Sequence, residues 1–295
     1  MASYLSGALR VGVALGYAGL LAVNGIYGSG AFGVKTNAEL SGAYPSHVTP
    51  AGFTFAIWGP IFLLQGLGTA LIASGRATAL GEAVAVPWLC AWFCECVWQV
   101  AFASLPVGSD GRASGTAGER LVILAPCLVA LAGAQTSMLR ACRRAKAAAA
   151  VGAVGRLEAA FLALPTGINA AWLAAASGIG LSLVAQIAAP PVASPAGGAA
   201  CLACIVSAAA ALAFYGARAG GSRALGLGYA GATCWACYGM AKGAAPREVK
   251  TVARAGLALV AAAAVAAVAA GRADDAPRAA AGEKLDAAAE KRALA

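Results

Sequence analysis

Apolar residues in this chain fall in long unbroken runs rather than in alternation. Eight runs stand out: Val11–Tyr27, Pro50–Ala73, Ala83–Ala103, Leu121–Leu139, Glu158–Ile187, Ala199–Ala217, Ala224–Met240 and Val252–Ala270. A helix needs roughly 20 such residues to cross a bilayer. Transmembrane strands would alternate over about 10 residues, and that pattern is absent. The pattern predicts an all-α fold, a polytopic membrane helix bundle.

Three runs carry polar and aromatic residues at helical spacing. In the second, Thr49 is placed to cap a helix whose first residue is Pro50. Phe55, Trp58, Phe62 and Gln65 then form one stripe, and Pro60 predicts a kink. In the third, Trp88, Trp92, Glu95 and Gln99 share a face, with Trp98 and Phe102 beside it. An ionisable group at that depth costs several kcal/mol unless paired, neutralised or hydrated. Glu95 is therefore either a ligand contact or proton site, or a neutral carboxyl bonded to a neighbouring helix. In the fifth, Phe161, Pro165, Asn169, Trp172 and Ala176 share a stripe, and Pro165 predicts a second kink. Small residues from Ala170 to Gly180 permit close helix approach. Asn24, near the end of the first run, is expected to face protein. Gly28–His47 reads as a long loop whose histidine is solvated.

Composition sharpens the picture. The chain of 295 residues is 61% hydrophobic and 11% charged, against about 25% charged in a soluble domain. Its net charge of +9 sits between the apolar runs, where it sets orientation in the membrane rather than binding nucleic acid. Arg140, Arg143, Arg144 and Lys146 follow the fourth run. With eight spans they share a side with Arg10, Arg76, Arg218, Arg223 and the tail, which predicts both termini in the cytosol. Met1–Arg10 leads straight into a span, with no cleavable signal or transit sequence recognised, and the organelle is left open. Cys201/Cys204 and Cys234/Cys237 have metal-ligand spacing but lie in apolar helices, where thiols pack as small apolar groups. No nucleophile–histidine pair, metal set or phosphate loop argues for an enzyme.

The stretch Thr49–Phe62, with Phe55-Ala56-Ile57-Trp58 at its centre, resembles the TspO/MBR family of tryptophan-rich sensory or translocator proteins. Pro165 with Trp172, and Asn24 before the long first loop, are similar to the longer branch of that family. Three positions depart from the family pattern: Glu95 stands where an asparagine is usual, Phe62 for a tyrosine and Gly180 for an asparagine.

The resemblance implies a five-helix core over 1–190 and additional C-terminal transmembrane helices over 191–270; the charged residues of 271–295 read as a polar tail, a solvated helix or disordered. The resemblance also implies a pocket for a porphyrin or sterol, with Phe55, Trp58, Phe62, Trp92, Glu95, Trp98, Asn169 and Trp172 as the ligand-binding set. A tetrapyrrole would be ligand rather than cofactor, and porphyrin breakdown, proposed for relatives, is left open. Expected partners are membrane lipid and a hydrophobic small molecule; the small-residue faces permit a homodimer. Two alternatives stand beside this reading: a proton-coupled secondary transporter using Glu95, and a membrane scaffold without a small ligand.

Overall fold

The structure, a computed structural model, describes residues 5–151, 154–190, 194–218 and 223–293, with backbone only for 211–218 and 271–293. The helices are α1 (Gly7–Tyr27), α2 (Asn37–Ala43), α3 (Trp58–Ala73), α4 (Ala79–Ala103), α5 (Ala117–Val151), α6 (Arg156–Glu158), α7 (Leu164–Ala188), α8 (Pro195–Arg218), α9 (Arg223–Lys242) and α10 (Arg247–Ala293). A 3-10 turn, Gly52–Ile57, leads into α3, and a π-helical turn, Ala159–Ala163, joins α6 to α7. Among the described residues, six helical stretches are long and apolar enough to cross a membrane: Gly7–Tyr27, Gly52–Ala73, Ala79–Ala103, Ala117–Val151, Arg156–Ala188 and Arg247–Ala270. Helix α9 packs on α7 and α10, and α8 on α10. The chain is an all-α, multi-pass integral membrane protein.

Side-chain distribution follows from that solvent. Helix α4 turns Trp88, Trp92, Glu95 and Gln99 inward and Phe93, Val97 and Val100 outward, with Phe93 71% exposed. Val122 and Val129 on α5 are each 74% exposed. Such a surface would drive aggregation in water, but it matches the hydrocarbon of a bilayer.

Several expectations change at the element ends. The helix after Thr49 does not begin at Pro50. The Thr49 hydroxyl turns back to accept from Ser46 N at 2.7 Å, and regular α-helix starts only at Trp58. Pro60 therefore falls in the first turn of α3, where its missing N–H disrupts no helix interior, and it is not a mid-helix kink. At Pro165 the adjustment is the π-helical turn just ahead, in which Leu164 N–H reaches five residues back to Ala159 O. Asn24 satisfies its amide on its own helix, donating to Leu20 O at 2.9 Å. The basic cluster after Leu139 is not a loop: α5 continues to Val151, about 52 Å in all, so Arg143, Arg144 and Lys146 extend beyond a hydrocarbon core of about 30 Å. The tail backbone continues α10 as helix to Ala293. Pro191 and Leu294–Ala295 lie outside the described residues.

The first connection is also more than a loop. Thr36 and Glu39 form a reciprocal capping box that starts α2. Thr36 N–H donates to Glu39 Oε2 at 2.8 Å, and Glu39 N–H to Thr36 Oγ1 at 3.2 Å. The Thr36 N–H first, then the Thr36 hydroxyl, which also donates to Glu39 Oε2 at 2.8 Å, hold the exposed Glu39 carboxyl below its ordinary range. A carboxylate stabilised in the folded state supports the fold at neutral pH and stops doing so as pH falls through its folded pKa. Hydrogen-exchange protection across α2 is expected to hold at neutral pH and to drop below about pH 4. The variant Glu39→Gln should show no such drop.

Candidate functional site

Three tryptophans from three helices meet at the centre of the bundle. Trp58 on α3 lies 6.4 Å from Trp98 on α4 and 6.2 Å from Trp172 on α7, ring centre to ring centre. The contact with Trp172 is edge-on, at 89°. Phe55 meets Trp172 edge-on at 5.9 Å, while Phe62 stacks on Trp58 at 5.4 Å and Phe102 on Trp98 at 5.2 Å. Offset stacks and edge contacts of this kind are the favoured aromatic geometries.

This cluster is the wall between two spaces. On one side is a narrow chamber of about 40 Å³ bounded by Phe55, Trp58, Trp98, Trp172 and the inner face of α5. On the other is an open cleft of about 500 Å³, where Phe55, Trp58 and Phe62 face Asn24, Thr36 and Asn37. The Nε1 donors of Trp58 and Trp172 are buried and have no partner. An indole N–H is obliged to donate or to bear the cost of being buried unbonded, so both are available to an acceptor.

One helical turn below Trp98 and Trp172 lies a buried polar pair. Asn169 Nδ2 donates to Glu95 Oε1 at 2.8 Å. Glu95 is 3% exposed and Asn169 fully buried, and Glu95 Oε2 and Asn169 Oδ1 have no partner. Neither residue borders the chamber.

The expected residues thus separate. Phe55, Trp58, Trp98 and Trp172 come together at the chamber, Phe62 lines the cleft, and Glu95 and Asn169 pair beneath. Trp92 does not reach either space: its Nε1 donates to Gln65 Oε1 at 3.0 Å, and its ring packs on Tyr17 at 5.6 Å. Trp88 is likewise tied to Thr166 Oγ1 at 3.0 Å. These two indoles hold α4 to α3 and α7.

Sequence reasoning missed two contributors. The first is α2, which folds down over the chamber. Asn37 and Gln99 exchange two bonds, of 2.9 and 3.0 Å, the Tyr44 hydroxyl donates to Pro106 O, and Leu40 and Tyr44 pack with Leu105, Leu124 and Leu183. The Thr36-x-x-Glu39 capping pattern was the available signal for that helix. The second is α5, whose residues Leu124, Cys127 and Leu131 border the chamber. Their helical spacing was legible, but the polar residues of the run, Gln135, Thr136 and Ser137, are consecutive and so spread round the helix without marking an inward face.

The loop histidine is also placed differently. His47 is half-buried, its backbone N–H donates to Gln186 Oε1 at 2.7 Å, and it borders a pocket between α7 and α8.

A family model described as TSPO-like protein matches residues 10–269. The chain belongs to the TSPO-like family. The match takes in α8, α9 and the membrane-crossing part of α10 as well as the first five crossings, so the aromatic wall and the later helices are parts of one TSPO-like chain. No curated protein and no solved structure matches it.

Proposed function

We propose that this TSPO-like protein binds a hydrophobic, planar ligand, a tetrapyrrole or a sterol, against the wall formed by Phe55, Trp58 and Phe62. The observation that carries this reading is that wall itself: an aromatic surface with the unpaired indole donor of Trp58, opening on a cleft of about 500 Å³. Small-molecule sites are typically apolar concavities of roughly 300–1,000 Å³ with a few polar groups. The chamber of about 40 Å³ is too small for such a ligand. The ligand therefore lies in the cleft, and its edge enters the chamber only where the Trp58 ring swings aside. A flat macrocycle gains from stacking, and an acceptor on its rim satisfies the Trp58 indole N–H. The residues 1–190 carry this site, 191–270 buttress it, and both termini face the cytosol. The role is binding, with translocation or sensing as its consequence, rather than catalysis.

The test is titration of the detergent-solubilised protein with protoporphyrin IX, followed by tryptophan fluorescence. Saturable quenching is expected, weakened roughly two- to tenfold in Trp58→Phe, which keeps a ring but loses the N–H donor. Linear quenching without saturation, alike in wild type and Trp58→Phe, would mean partitioning into the micelle and would refute porphyrin binding at this wall; a sterol would be tested next by the same comparison.

A second reading, proton-coupled transport, is favoured by one observation, the buried Glu95 carboxyl with an unpaired oxygen. Ligand flux in vesicles whose pH dependence survives Glu95→Gln would dismiss it. A protein that ignores both porphyrins and sterols would be a scaffold.

A further inference from the structure

A groove separate from the aromatic cleft runs down the outer surface of the bundle. Pro60 on α3, Ile168 on α7, and Leu227, Gly228, Gly231 and Trp235 on α9 enclose about 430 Å³ there. The lining is apolar apart from the indole of Trp235, whose Nε1 is already spent on Thr54 O at 2.7 Å. Gly231 keeps the groove open: a Cβ placed on it would meet nothing within 4 Å.

Beyond Trp235, where the groove lining ends, the surface has a different chemistry, and Phe53 there also borders the aromatic cleft. Residues 231, 235, 238 and 242 continue one stripe along α9, by helical spacing. Phe53 packs edge-on against Trp235 at 5.6 Å and lies 5.7 Å from Tyr238. Phe53 and Tyr238 are 46% and 41% exposed. Lys242 Nζ sits over the Tyr238 ring at 5.7 Å. Exposed aromatics capped by a lysine are what a helix presents at the level of lipid head groups. Gly231 lies about 16 Å below Lys242 along the axis, about half the thickness of a hydrocarbon core of roughly 30 Å. With Lys242 set at the head-group level, the groove lining from Trp235 to Leu227 would lie in the hydrocarbon beneath it.

We infer that this groove holds one acyl chain of an anionic glycerophospholipid, with the phosphate at Lys242 and the glycerol level at Phe53 and Tyr238. The charge at Lys242 selects this occupant. A second copy related by a two-fold axis along the membrane normal would bring another Lys242 to the same depth, like charge against like. A sterol offers a hydroxyl where the groove offers a cation.

The test uses the full chain reconstituted in phosphatidylcholine vesicles containing a small fraction of either phosphatidylglycerol or phosphatidylcholine brominated on the acyl chain. Bromine quenches nearby indoles, and the component lost in Trp235→Phe reports the groove. That component should be half-quenched at about fivefold less brominated phosphatidylglycerol than brominated phosphatidylcholine. Lys242→Gln should abolish the preference. Gly231→Leu, whose Cβ meets nothing within 4 Å and whose side chain takes up groove space, should reduce the component with both lipids. Equal quenching by the two lipids in wild type, or a preference that survives Lys242→Gln, overturns the assignment. So does a Gly231→Leu variant that quenches as wild type while its monomer–dimer distribution shifts, since the groove would then belong to a second copy. Porphyrin titration of Gly231→Leu should match wild type, separating this site from the aromatic cleft.

Discussion

Gly167→Ala is expected to destabilise the protein by about 3 kcal/mol, and Gly167→Leu to prevent recovery of a monodisperse species. Helices α7 and α9 cross with their backbones almost in contact. A Cβ on Gly167 would collide with Leu225 O and come within 2.9 Å of Tyr229 N; reciprocally, a Cβ on Gly228 would collide with Leu164 O and come within 3.1 Å of Ile168 N. These are main-chain atoms, so no rotamer change relieves the overlap, and the helices must move apart. In lipid that separation is costly because close packing, rather than exclusion of water, holds helices together. Moving α7 also moves Asn169 and Trp172, so porphyrin quenching should weaken with stability. Gly231→Ala on the same α9 is the control: with open space around it, it should change stability by no more than about 0.5 kcal/mol. Thermal unfolding in detergent, read by size exclusion, checks both. If Gly167→Ala is as stable as Gly231→Ala, the crossing is looser than described.

Asn169→Leu is expected to cost about 3 kcal/mol, by leaving the Glu95 carboxyl buried with no bond at all. In the wild-type protein Glu95 has one partner, Asn169 Nδ2, on Oε1 and none on Oε2. Removing the amide deletes that one bond while the carboxyl stays enclosed. The penalty belongs to the stranded acid rather than to the lost asparagine, which makes a sharper prediction possible. The double variant Glu95→Met with Asn169→Leu replaces both groups by apolar ones of similar size and should recover most of the stability. A double-mutant cycle by thermal unfolding should therefore show strong coupling, up to about 3 kcal/mol. Additive effects would show that the two side chains do not depend on each other. Ligand titration of the double variant separates the roles further: quenching that survives would make the pair a support for the aromatic wall, and quenching lost despite recovered stability would make it a ligand contact.

The bundle was legible in the sequence because each crossing needs a run of apolar residues set by bilayer thickness. The buried face of α4 was legible for a related reason. Trp88, Trp92, Glu95 and Gln99 cannot all face lipid, and the helical repeat puts them on one side. The same logic placed Trp58, Trp98 and Trp172 toward a common interior. It failed for Trp92, since a stripe about three turns long passes more than one neighbour, and Gln65 on α3 captured that indole. It was silent on α5, where the consecutive Gln135, Thr136 and Ser137 mark no inward face.

Sequence alone thus determined the class of solvent, most of the crossings and the inward faces that carry polar or aromatic groups, because these follow from local composition and a fixed repeat. Tertiary structure decided the rest. It joined Asn37 to Gln99, 62 residues away, turning an expected loop into a cover for the chamber. It divided one aromatic stripe between a narrow chamber and an open cleft, and set Gly167 against Gly228. Those outcomes depend on which helices become neighbours. In hydrocarbon, apolarity does not choose neighbours, because a lipid tail is as good a partner as leucine; shape, small residues and paired polar groups do, and they act only once the helices have met.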